Sequence, residues 1–229
     1  MTTEAARWGY GGSEGPEDWG SLSEAYRPCS EGVEQSPVNI TECVQVEGPD
    51  IAFYYSASAI AARNNGHTVY LDFPAGSTLD AAGLRYELQG VHYHSPAEHQ
   101  VGGERFAGEL HLVHQDTDGN LAVVGLLFRL GNPSPLVQAL LDAAPETVGS
   151  VALQDGPPAA DHVPASLDYF GYEGSLTTPP CSEGVRWIVM QSFGTVSEAQ
   201  VERLQTLTGG PNNRPVQPIG GREIFAVSQ

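Results

Sequence analysis

Val91-His92-Tyr93-His94-Ser95-Pro96-Ala97-Glu98-His99, read with Glu109-Leu110-His111-Leu112-Val113-His114, is the part of the chain on which the fold turns. On an extended strand, residues two apart point to the same face, so His92 and His94 share one face of 91–94. The same alternation puts Glu109, His111 and Val113 on one face of the second segment and His114 on the other. Gly102 and Gly103 lie between the segments, where the chain can reverse direction. If the two strands pair, three imidazoles converge on one point. Three neutral imidazoles with a fourth position left open are the ligand set of a catalytic zinc site. A structural site would normally be closed by cysteines, and no Cys-x-x-Cys occurs. Spacing alone leaves the plainer reading open, that of core or surface histidines with ordinary hydrogen bonds. His99 and His114 are read that way. His162, in a proline-rich loop, is expected to be solvated.

Working outward, further strand-like patches lie at 51–55, 68–73, 84–89, 106–114, 121–130 and 185–192, with 91–94 already named. Turn signals separate them: Asn64-Asn65-Gly66, Pro74-Ala75-Gly76 and Asp118-Gly119-Asn120. Helical patterning is modest. Residues 135–144 follow Asn132-Pro133-Ser134 and carry Leu136, Leu140 and Leu141 at helical spacing. Residues 197–206 read as a second helix, with Ser197 as its cap. No repeat or linker divides the chain, so 1–229 is expected to form one β-dominated domain with short helices.

Composition agrees and narrows the function. The 229 residues include 27 Gly and 17 Pro scattered among short apolar runs, which suits a turn-rich sheet protein. A formal net charge of −18, with all ten basic residues Arg, argues against nucleic acid and against an anionic membrane surface. The longest apolar stretch, 121–128, is far short of the roughly 20 residues of a membrane helix. Residues 1–20 carry Glu4, Arg7, Glu14, Glu17 and Asp18 with no apolar segment, so no signal peptide is visible.

Other motifs occur in order along the chain. Trp8-Gly9-Tyr10-Gly11, Gln35-Ser36-Pro37-Val38-Asn39-Ile40 and Asn64-Asn65-Gly66-His67 precede the two histidine segments. Gly174-Ser175-Leu176-Thr177-Thr178-Pro179-Pro180 and Asn213-Arg214-Pro215 with Gln217-Pro218 follow them. Together they resemble the α-class carbonic anhydrases of the bacterial or secreted type, from about residue 8 to about residue 227. The resemblance implies a β-dominated α+β fold with a large, mostly antiparallel, twisted central sheet and short surface helices. It implies reversible hydration of CO2 to bicarbonate and a proton, by zinc-hydroxide attack with a histidine proton shuttle. The Zn2+ ligands match His92, His94 and His111, and zinc lowers the pKa of a bound water to about 7.

The resemblance also assigns roles around the metal. Thr177 matches the hydroxyl that accepts a hydrogen bond from the zinc hydroxide and donates one to a carboxylate matching Glu98. Thr178 matches a position that helps place bicarbonate. Val113, Val123, Leu176, Val185 and Trp187 match the apolar wall for CO2; without the resemblance each reads as ordinary core. His67 matches the proton shuttle, suited to it by an imidazole pKa near 6.5. Read alone, it is an exposed loop histidine. Tyr10 and Asn65 match positions that order the intervening waters. Glu109 matches the carboxylate that holds His111, and the Asn212 carbonyl matches the group that holds His94. Two positions depart from the pattern. Gly90 stands where many members carry the Gln that orients the first ligand, with Gln89 turned to the opposite face, so His92 is expected to lean on water or another residue. Tyr70 stands at a pocket position that is often small and polar.

The implied partners are CO2 and bicarbonate, with sulfonamide or anion inhibitors and, by family analogy, a homodimer. Cys29 and Cys181 match the disulfide of secreted and periplasmic members, which favours an oxidising compartment and a Met1 standing in place of a cleaved leader. Cys43 is left over, either buried or paired between chains. Ser36-Pro37 and Pro179-Pro180 are expected to be cis. Two other classes compete: a non-catalytic relative that kept the fold, and a general zinc hydrolase acting on esters. Against the first stands the full ligand set with Thr177 and Glu98. Comparing CO2 hydration with ester hydrolysis on one preparation separates the second.

Overall fold

Leu84–His94 and Gly108–Gln115 pair as antiparallel neighbours, with His92 directly opposite His111 and His94 opposite Glu109. The computed structural model describes residues 6–48 and 51–228; Met1 lies outside them, as does the reading attached to it. The histidine pair sits inside a mixed sheet of 13 strands among the described residues. From one edge the order is Gly149–Ala152, Ala61–Asn64, Val69–Asp72, Leu84–His94, Gly108–Gln115 and Leu121–Leu130. Glu183–Met190, Tyr169–Ser175, Phe225–Ser228 and Val44–Glu47 complete this path of ten, and Ala52–Tyr54, Thr78–Ala81 and Gly194–Val196 pair beside it. Most pairings are antiparallel, as expected. Leu121–Leu130 runs parallel to Glu183–Met190 and to Gly194–Val196, and Phe225–Ser228 runs parallel to Val44–Glu47.

Leu121–Leu130 is apolar at almost every position because it is central and covered on both faces. Its alternation splits the core in two. Ala122, Val124, Leu126 and Phe128 join Leu71, Val91, Leu110, Leu112 and Ile188 on one face. Val123 and Leu127 join Val185, Trp187 and Val189 on the other, the face that carries the histidines. The helices Pro135–Ala143 and Glu198–Thr208 press Val137, Leu140, Leu141, Leu204 and Leu207 onto the first face. Ser134 caps the first helix, and Ser197 forms a reciprocal capping box with Gln200 on the second.

Several details differ from expectation. Residues 84–89 and 91–94 form one strand, because Gly90 continues the ladder opposite Val113 while Gln89 is skipped, His114 pairing with Leu88. That bulge is what turns Gln89 to solvent. The expected 106–114 and 185–192 become Gly108–Gln115 and Glu183–Met190. Tyr169–Ser175 was not foreseen, since two glycines blur its alternation. His162 is a correction. It is buried rather than solvated, with Nδ1 lying 3.3 Å from the Pro158 carbonyl and its ring edge-on to Phe73. Ala59 and Ala159 bond across the loop to Pro157 and Ala57, drawing the proline-rich segment down onto the core. Ser36-Pro37 and Pro179-Pro180 are cis, and Ser95-Pro96 joins them.

His114 faces away from the other histidines, as the alternation required. The Tyr55 hydroxyl lies 2.5 Å from its Nε2, and its Nδ1–H donates to the Ala122 carbonyl at 3.3 Å. That pair of partners fits a neutral imidazole, and burial pushes its pKa down to about 4. The shift from the free value of about 6.5 is worth roughly 3 kcal/mol. The unfolded chain takes up this proton below its free pKa and the folded chain only below about 4. The contribution is therefore complete at neutral pH and is lost as pH falls through that window. Urea unfolding of metal-free protein should show His114→Gln losing stability with falling pH less steeply than wild type between those limits; equal slopes would contradict the assignment.

Candidate metal centre

The three imidazoles meet on one face of two adjoining strands, with one nitrogen of each lying within 4.8 Å of the others. His92 Nε2 and His111 Nδ1 face each other at 3.3 Å. Two ligands about 2.0–2.1 Å from a tetrahedral zinc stand about 3.3–3.4 Å apart, so this spacing suits that ion. His94 Nε2 is buried and has no hydrogen-bond partner. A buried nitrogen left unpartnered is costly unless something absent from the protein atoms satisfies it. The remaining nitrogens fix the tautomers of two rings. His94 Nδ1–H donates to the Asn212 carbonyl at 2.7 Å, and His111 Nε2–H donates to Glu109 at 2.9 Å. Burial lowers the pKa of all three imidazoles, which keeps them neutral as metal ligands must be. Burial alone would raise Glu109, but the imidazoles of His99 and His111 hold it well below the usual carboxylate range.

Glu98 lies at the same centre, its Oε1 3.6 Å from His94 Nδ1. That oxygen accepts the Arg214 backbone N–H at 2.8 Å, while Oε2 is buried without a hydrogen bond. Burial pushes the carboxyl up to about 7, opposed by His111, the Arg214 N–H and the nearby Thr177 hydroxyl. Thr177 is buried, and Thr178 is half-buried with its carbonyl accepting the Cys181 N–H at 2.8 Å. Val123, Val185 and Trp187 belong to the core cluster on this face, with Val113 and Leu176 packed against it. Val113, Val123 and Trp187 form one cross-strand row.

Tyr10, Asn65 and His67 line an open cavity of about 730 Å³ together with Trp8 and the turn at Gly209 and Gly210. His67 stacks on Trp8, ring centres 3.9 Å apart and planes 10° from parallel. Partial burial and the Arg7 cation lower its pKa below the free value. Tyr10 buries its hydroxyl without a partner. Asn65 is exposed, and its side-chain oxygen accepts the N–H groups of His67 and Thr68. The Asn212 amide donates to the His67 carbonyl at 2.9 Å, tying this turn to the residue that holds His94.

A model of the eukaryotic-type carbonic anhydrase family matches residues 14–228. The chain belongs to the carbonic anhydrase family. A carbonic anhydrase of Neisseria gonorrhoeae is 41% identical over 219 residues, spanning 95% of this chain and 87% of the relative. A hyperthermostable carbonic anhydrase identified from an active hydrothermal vent chimney superimposes with a TM-score of 0.93 at 42% identity, covering 96% of this chain and 100% of that one. The α-carbonic anhydrase of Thermovibrio ammonificans, solved with the inhibitor sulfanilamide, gives 0.93 at 39% identity over 97% and 100% of the two chains. The α-class resemblance read from the motifs is borne out, and the reaction is the reversible hydration of CO2.

Three residues of this carbonic anhydrase support the centre in roles not assigned from the sequence, among them His99, which was read only as a hydrogen-bonded histidine and is one. His99 donates through Nδ1 to Glu109 at 2.7 Å, and the Tyr172 hydroxyl lies 2.6 Å from its Nε2. Arg214 is almost wholly buried; its guanidinium donates to Gln35, Ser36 and Cys29, while its backbone N–H holds Glu98. Gly125 stands opposite His111, and a Cβ there would lie 2.9 Å from Glu109 Oε1, so only glycine leaves that carboxylate its place. The Asn213-Arg214-Pro215 motif was the one available signal for Arg214. The Cys29–Cys181 disulfide is formed, bridging 152 positions, and Cys43 is a half-buried free thiol against the apolar cluster.

Proposed function

We propose that His92, His94 and His111 hold a catalytic zinc ion through Nε2, Nε2 and Nδ1, and that Thr177, Glu98 and His67 manage the proton traffic of CO2 hydration around it. The observation that carries this reading is the convergence of three neutral imidazole nitrogens, one of them buried with no partner. A zinc ion held there would lower the pKa of a bound water to about 7 and so supply a hydroxide nucleophile at neutral pH.

The protein's own groups do the rest. In this reading the Thr177 hydroxyl, which lies near the Glu98 carboxylate, turns to donate a hydrogen bond to Oε2, the oxygen left unpartnered while Oε1 is fixed by the Arg214 N–H. The Thr177 oxygen is then left to accept a hydrogen bond and orient the nucleophile. Val113, Val123, Leu176, Val185 and Trp187 give CO2, a small apolar molecule, an apolar wall, and Thr178 helps place bicarbonate. His67 takes the proton onward, with Tyr10 and Asn65 ordering the waters between. Small anions and sulfonamides would bind as inhibitors; the Thermovibrio relative was solved with one, sulfanilamide. The disulfide supports a periplasmic or secreted location.

The shuttle is tested by His67→Ala. Because this proton transfer follows the step that consumes CO2, kcat should fall about a hundredfold, the low end of what positioned acid–base groups contribute, with kcat/KM little changed. Added imidazole buffer should restore kcat. A variant that loses kcat without rescue would remove His67 from the scheme.

A further inference from the structure

Two of the three ligand imidazoles are oriented by a hydrogen bond on the nitrogen that faces away from the metal position, and the third is not. His94 has the Asn212 carbonyl and His111 has Glu109, whereas His92 Nδ1 is buried with no hydrogen-bond partner. Position 90 cannot supply one. Gly90 lies so close to the neighbouring strand that a Cβ would sit 3.0 Å from the Leu71 carbonyl oxygen. Gln89 is exposed, and its amide donates to the Glu87 carbonyl at 3.2 Å. An imidazole without such a partner is free to turn about χ2, a broad torsion with weak preferences of its own.

What meets His92 instead is a tyrosine. Tyr70 is its direct cross-strand partner in Val69–Asp72, with ring centres 5.0 Å apart and planes tilted by 42°. Apart from the other two ligand imidazoles, no other aromatic ring among the described residues makes contact with it. Tyr70 is itself held from behind. The Arg63 guanidinium lies 4.6 Å over its ring from the next strand, where Arg63 is the cross-strand partner of Tyr70. Arg63 is forked onto Asp72 at 2.6 and 2.7 Å. Arg63, Tyr70 and His92 thus form one row across three strands, and a planar, bidentately fixed cation backs the tyrosine ring.

We infer that Tyr70, backed by the Arg63–Asp72 pair, is the positioning residue for His92 in this carbonic anhydrase, fixing the imidazole by ring packing where a hydrogen bond is missing. The inference rests on the proposed reading of His92, His94 and His111 as zinc ligands. Loss of an orienting partner around a metal typically costs 10–100-fold in affinity. The ring does the holding, so the hydroxyl is dispensable.

The test is zinc affinity of metal-free protein, measured by competition with a chelator such as dipicolinate for wild type, Tyr70→Ala and Tyr70→Phe. The visible spectrum of the cobalt(II)-loaded forms is read alongside, because it reports ligand geometry and is blind to stability alone. Tyr70→Ala should weaken zinc binding about 10–100-fold and alter the cobalt spectrum, while Tyr70→Phe should stay within about threefold of wild type. Arg63→Met should fall between them. Melting of the metal-free proteins checks that each is folded; if Tyr70→Ala is not, Tyr70→Leu takes its place. Unchanged zinc affinity in the folded alanine or leucine variant would overturn the inference, as would a phenylalanine variant as weak as the alanine one. Wild type that binds no zinc would instead sink the metal-site reading beneath it.

Discussion

Replacing His94 with alanine is expected to remove zinc and CO2 hydration together. His94 is fully buried, its Nδ1 is fixed by the Asn212 carbonyl, and its Nε2 has no partner among the protein atoms. Without it, two imidazoles remain where a catalytic zinc site uses three protein ligands. The loss in rate should dwarf the hundredfold expected at His67, since the shift of water's pKa from 15.7 to about 7 disappears with the metal. The scaffold should survive. The Asn212 side chain still accepts the Ser95 N–H at 2.7 Å and donates to the carbonyls of His67 and Tyr93. Metal analysis after dialysis, with circular dichroism for the fold and stopped-flow hydration for activity, reads all three. A variant that keeps full hydration would refute the ligand set.

Removing the disulfide is the second large effect. Cys29 and Cys181 close a ring spanning 152 positions, for which chain entropy predicts up to about 5 kcal/mol of stabilisation. Local contacts reinforce it: the Gln35 amide donates to the Cys181 carbonyl at 3.0 Å, and Arg214 donates to the Cys29 carbonyl at 2.8 Å. Both cysteines are buried against Trp19 and Tyr26, so alanine is the better replacement, because a serine hydroxyl would be buried unpaired. Denaturant unfolding of Cys29→Ala with Cys181→Ala should show a loss of about 2–5 kcal/mol. A change below about 1 kcal/mol would mean that the unfolded chain is not appreciably restrained by the bridge.

Local patterns were the most legible. Alternation put His92 and His94 on one face of their strand, and on the next strand set His111 and His114 on opposite faces, because side-chain direction on a strand depends only on parity. The pairing that joins the three imidazoles was a condition that the structure meets. Leu121–Leu130 was readable to its ends because burial on both faces leaves one long apolar run. Tyr169–Ser175 was not, because Gly171 and Gly174 erase the alternation on which such a reading depends. The second layer of the site was legible only through motif resemblance. Asn212 meets His94 across 118 positions and Arg214 meets Glu98 across 116, and neither contact leaves a local trace. His162 failed for a related reason. Proline-rich composition signals a loop, but says nothing of whether the loop folds back onto the core.

Titrating zinc into chelator-stripped protein while following stopped-flow CO2 hydration tests the metal centre most directly. The rate should climb from background in proportion to added zinc and break at one equivalent per chain, as a single three-imidazole site requires. Full hydration by the stripped protein, or a rate indifferent to zinc, would contradict it.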